Sequence, residues 1–138
     1  MIQKNKLHKM IDYEQLIKIR EKYQKRSIKL PQFIDTQSNS DYFAYAHYRD
    51  ILTCILALIK SDNHTDKHIR LLLDKANESM DNIFKIYDSK RTELKYLLIS
   101  ESIISFIEDL QVDLINAELY EAVANLQKFN ENFYRQNE

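Results

Sequence analysis

His64 and His68 stand four residues apart where the polar turn Ser61-Asp62-Asn63-His64-Thr65 leads into a helical pattern. At that spacing two imidazoles can share one metal ion. A metal centre needs further ligands. The chain offers no other His or Cys at ligand spacing nearby, and none of the Glu-x-x-His pairs with which helical bundles hold two irons. Solvated turn residues are the expectation for both histidines, and no metal or other cofactor is expected.

A third histidine sits in His47-Tyr48-Arg49-Asp50, which over those few residues resembles the phosphoacceptor helix of histidine kinases and phosphotransfer bundles. The resemblance implies a phosphorylatable imidazole on a helix. The more definite motif that those families place around the histidine is missing, so an ordinary, partly packed histidine is expected. Patterns of all-helical hydrolases are absent too: there is no Arg followed several residues later by His and no His-Asp pair. Glu108 and Asp109 point in different directions on successive helix positions and do not converge on a substrate. No catalytic residue is assigned, and the chain is not expected to be an enzyme.

Two binding chemistries remain. Residues 1–30 hold nine Lys and Arg against three acidic residues, whereas from Glu101 onward eight acidic residues face two basic ones. Lys18, Lys22, Lys25 and Arg26, interleaved with Tyr13 and Tyr23, have the chemistry to contact phosphates and stack bases, which makes a nucleic-acid-binding accessory subunit the alternative reading. The competing expectation is that the basic first helix pairs with the acidic last one and spends its charge within the molecule. Tyrosine supplies nine of the chain's fifteen aromatics. Tyr42, Tyr45 and Tyr48 spread over more than one face of the second helix, and exposed tyrosines mark candidate protein interfaces.

The elements that position these residues follow from composition. The chain of 138 residues has no glycine and one proline, where average usage would give about ten glycines. Tight hairpins, dinucleotide fingerprints and phosphate loops all need glycine, so none can be built. Helices joined by polar turns are the default, with Asn and Asp expected at any left-handed position. The net charge of −1 creates no field toward nucleic acid or an anionic membrane. Cys54, alone and inside an apolar run, suits a reducing compartment as a small core side chain. Neither a secretory h-region nor a membrane span is present, so a cytoplasmic location is expected.

Apolar periodicity predicts five helices. The first covers Leu7 to about Ser27, with Met10, Tyr13, Leu16, Ile17 and Tyr23 inward. A loop over about 30–40, around Pro31, forms a hinge. The second runs from Tyr42 to Lys60, N-capped by Ser40 or Asp41, through Ala44, Tyr48, Ile51, Leu52, Ile55, Leu58 and Ile59. It is apolar nearly all round, which fits the middle of a bundle or a subunit interface. The third, Asp66 to Tyr87, has the cleanest stripe, including Ile69, Leu73, Ala76, Met80, Ile83 and Phe84. The fourth, Thr92 to Gln111, carries Leu94, Leu97, Leu98, Ile103, Ile104, Ile107 and Leu110 over a wide arc. A break follows, and Asp113 or Asn116 caps a fifth through Leu119, Ala122, Val123, Leu126, Phe129 and Phe133.

The predicted fold is all-α: an antiparallel bundle of four to five helices, with residues 1–138 as one domain. The expected function is a small regulatory or inhibitory protein of the immunity-protein, antitoxin or phage-inhibitor type, which binds another protein through a helical face. A homodimer is compatible with this reading, and no membrane partner is expected.

Overall fold

The structure, a computed structural model, describes the backbone of residues 2–59, 65–88 and 93–137 and the side chains of 13–59, 65–87 and 94–133. Five helices follow one another: α1 Ile2–Ser27, α2 Asn39–Leu58, α3 Asp66–Asp88, α4 Glu93–Asn116 and α5 Tyr120–Asn137. Contacts fix their directions. Tyr48–Ser102 and Asp41–Lys95 share a separation of 54 residues, so α2 and α4 run parallel. Asp41 at the start of α2 meets Tyr87 at the end of α3, so these two are antiparallel. Lys22–Asp113 and Arg26–Asp109 set α1 antiparallel to α4. The first four helices therefore alternate up and down.

α2 touches every other helix. Its predicted stripe of Ala44, Tyr48, Ile51, Leu52, Ile55, Leu58 and Ile59 is buried in full, and Cys54 joins it. Burying each Leu or Ile side chain contributes about 1.5–3 kcal/mol of transfer free energy. That makes α2 the axis on which the core forms. The α3 stripe is buried at Ile69, Leu73, Ala76, Met80, Ile83 and Tyr87, but Phe84 turns out to be half exposed, edge-on to Tyr96. On α1, Leu16 and Tyr23 are inward as expected, whereas Tyr13 is exposed. The core residues predicted for α5 from Ala122 to Phe133 are all buried.

The boundaries correct several caps. α2 begins three residues earlier than predicted because Ser38, not Ser40 or Asp41, is its N-cap, accepting the Asp41 N–H at 3.3 Å. Asp113 and Asn116 do not cap α5: both lie within α4, which runs past Gln111 to Asn116. The chain then breaks in a Schellman turn, where the Leu119 N–H donates to Leu114 C=O and the Glu118 N–H to Ile115 C=O. Such a turn needs one left-handed residue, and with no glycine available Glu118 takes it at φ 60°. No Asn or Asp adopts a positive φ among the described residues.

The segment before α2 is pinned and does not have the character of a hinge. Ile34 is buried, its N–H bonds Pro31 C=O, and Gln37 N–H donates to the Asp35 carboxylate. The Asp35 N–H in turn donates to Asp41 Oδ2 at 2.8 Å. Asp41 is almost wholly buried and also receives the Tyr87 hydroxyl and the Lys95 ammonium. One carboxylate thus ties the loop, the start of α2, the end of α3 and the start of α4. Burial pushes its pKa up, but the Lys95 ammonium, the Asp35 N–H and the Tyr87 hydroxyl outweigh it and hold it below the ordinary value.

Candidate interaction surface

The N-terminal basic residues divide into two pairs. Lys22 Nζ lies 2.8 Å from Asp113 Oδ2 and Arg26 Nη1 lies 2.6 Å from Asp109 Oδ2. Between them Tyr23 is buried, donates its hydroxyl to Asp113 at 2.7 Å and stands edge-on to Phe106 at 5.3 Å. Arg26 lies 5.5 Å from the Phe106 ring centre, within cation–π range. Burial, the bond to Asp113 and its charge all push the Tyr23 hydroxyl pKa up. Burial also raises the Asp113 carboxyl, but Lys22 and Tyr23 together bring it below its ordinary value. The remaining pair, Lys18 and Lys25, is exposed on the outer side of α1, where Glu14 and Glu21 stand four residues before each on the same face. The intramolecular pairing expected for this charge is present at Lys22 and Arg26, with one correction: the acids belong to α4, and among the described residues α1 makes no packing contact with α5.

The three tyrosines of α2 do not form one surface. Tyr42 is exposed beside Phe43, Tyr45 is half-buried, and Tyr48 is a core residue whose hydroxyl shares a hydrogen bond with Ser102 Oγ at 2.8 Å. The reason is helical phase, since positions 42, 45 and 48 advance by 300° each time and the third has rotated into the core. His47 is half-buried on the same helix. His68 is exposed in the first turn of α3, which Thr65 caps through its hydroxyl, and His64 lies outside the described residues. Among the described residues no three His, Cys, Asp or Glu side chains come together as a metal site.

A surface not assigned from the sequence lies on α4. Ile99, Ile103, Phe106, Ile107, Leu110 and Leu114 face the core. On the opposite side Leu94 (69%), Leu97 (55%), Val112 (55%) and Ile115 (44%) are exposed, with Leu98 and Ile104 half-buried among them. Leu94 and Leu97, read from the sequence as part of one wide apolar arc, thus belong to a second stripe. Successive positions 94, 97, 101, 104, 108, 111 and 115 alternate steps of three and four, the spacing of a helix-pairing seam. The stripe covers about 32 Å of helix at 1.5 Å per residue. Its charged members are Glu101 and Glu108, one heptad apart, both exposed and with no ion pair to another described residue. The unusually wide apolar arc was the signal in the sequence, but the arc alone does not say which part of it faces outward.

A groove of about 510 Å³ between α3 and α5 is open to solvent, and Asp66 and Lys128 pair across it at 2.9 Å. Its charges, Asp66, Arg70, Asp74 and Lys128, balance and do not converge on one point. No helix among the described residues is long and apolar enough to cross a membrane. Compared with models of protein families, with curated proteins and with solved structures, the chain matches none.

Proposed function

We propose that this protein acts without chemistry of its own, by binding another protein through the outer face of α4, in a regulatory or inhibitory role. The observation that carries this reading is the set of four exposed large apolar residues, Leu94, Leu97, Val112 and Ile115, on one side of one helix. Single exposed apolar residues are ordinary, whereas two exposed apolar pairs on one side of a helix, bridged by half-buried Leu98 and Ile104, make a larger apolar face of the kind that marks an interaction surface. The opposite face of α4 already fills the core, so these residues contribute little to the fold itself. An inhibitor, immunity protein or antitoxin has this economy, a helical body presenting one face. A reducing, cytoplasmic setting agrees with the buried lone thiol of Cys54.

Nucleic-acid binding through α1 is the weaker reading, because Lys22 and Arg26 are already engaged by Asp113 and Asp109. The deciding experiment is capture from a nuclease-treated host lysate by the wild type and by Leu97→Ser/Val112→Ser. A protein recovered in near-stoichiometric amount by the wild type and lost with the variant, while both keep the same circular dichroism, supports the reading. Equal capture by the two overturns it.

A further inference from the structure

We propose that the partner lays on α4 an amphipathic helix carrying basic residues one heptad apart, which meet Glu101 and Glu108. This rests on the reading of α4 as the binding face and adds the chemistry of what covers it. The apolar positions Leu94, Leu97, Ile104 and Ile115 follow a three-four spacing that another helix matches at a shallow crossing angle, its side chains filling the gaps between them. The two glutamates sit near the midline of that stripe. Covering them removes water from two carboxylates, which costs several kcal/mol per ion unless each gains a charged partner.

Among the described residues no cation pairs with either of them. Lys22 and Arg26, the cations nearest along α1, are held by Asp113 and Asp109, and Lys95 points to Asp41. A second copy docked stripe to stripe offers none either. The stripe, positions 94, 97, 98, 101, 104, 105, 108, 111, 112 and 115, contains no Lys or Arg. Two copies joined through it would set glutamate against glutamate or bury it against an apolar side chain. A partner with Lys or Arg at two positions seven residues apart answers both carboxylates and also fixes the register of the two helices, as buried polar residues do in coiled coils.

The test uses two synthetic helical peptides of about four heptads, with Leu and Ile at the seam. They differ only in bearing Lys or Glu at two seam positions one heptad apart. Binding to the full-length protein is read by fluorescence anisotropy at about 0.15 M salt, where exposed charges are screened beyond about 8 Å. The Lys peptide is expected to bind at least tenfold more tightly than the Glu peptide. Glu101→Lys/Glu108→Lys should reverse that order, and Leu97→Ser/Val112→Ser should weaken both. Absence of binding, or equal binding of the two peptides, overturns the proposal. So does a wild-type dimer in sedimentation that the Leu97→Ser/Val112→Ser change dissociates, since a second copy would then occupy the face. If lysate capture depends on α4 but the peptides show no charge preference, the protein-binding reading stands and the basic helix alone fails.

Discussion

The Tyr87 hydroxyl donates to Asp41 Oδ1 at 3.0 Å, closing the end of α3 onto the start of α2 inside the core. Because Asp41 also receives Lys95 and the Asp35 N–H, removing its carboxylate strands three donors at once. Asp41→Ala is expected to destabilise the protein by about 1–3 kcal/mol for each buried donor that loses this acceptor, while the partly exposed Lys95 ammonium regains water. Tyr87→Phe removes one donor and should cost about 1–2 kcal/mol. Urea unfolding of the two variants checks the order; equal losses would mean that Asp41 does not act as the hub.

The pH dependence of stability follows from the same groups. Asp41 and Asp113 are held below their ordinary value of 3.8 in the folded state. Their contribution is complete above that unfolded-state value and is lost as pH falls through the lower folded values. Tyr23 and Tyr87 are raised above 10.0, so their contribution is complete below pH 10 and is lost as pH rises beyond it. Thermal unfolding across pH should therefore show a plateau bounded by an acid limb and an alkaline limb. Asp41→Asn/Asp113→Asn should flatten the acid limb.

Changing Lys18, Lys22, Lys25 and Arg26 together to Gln asks where the basic charge is used. Since among the described residues only Lys22 and Arg26 of these four make ion pairs, and both pairs are partly exposed, stability should fall by about 0–1 kcal/mol per pair. The wild type should show little affinity for DNA or RNA at about 0.15 M salt, where non-specific contacts give only about 10⁻⁴ to 10⁻⁶ M. Sub-micromolar binding that the quadruple change abolishes would restore the nucleic-acid reading.

Glu118 holds a left-handed conformation that costs a residue with a Cβ about 1–2 kcal/mol relative to the right-handed one. Glu118→Gly should stabilise the protein by about 0.5–1 kcal/mol, less than the full conformational cost because glycine also loses more freedom on folding. Glu118→Val should destabilise it. A stabilising valine would show that the turn rearranges.

The existence, number and order of the helices were legible in the sequence. Without glycine there is no economical hairpin or phosphate loop, and a period of 3.6 residues runs through every apolar segment. The inward faces of α2 and α5 were legible because their neighbours bury one continuous arc. α4 was not. Its apolar residues surround most of the helix, so periodicity could not separate Ile99, Phe106 and Leu114, which face α2 and its neighbours, from Leu94, Leu97 and Val112, which face solvent. That division is set by which helices pack on α4, a matter of contacts distant in sequence. The same holds for Asp41, expected as a cap and found as a buried hub, because Tyr87 and Lys95 reach it from 46 and 54 residues away. Local sequence specifies the period of each helix, whereas tertiary packing decides which of two available apolar faces is left exposed.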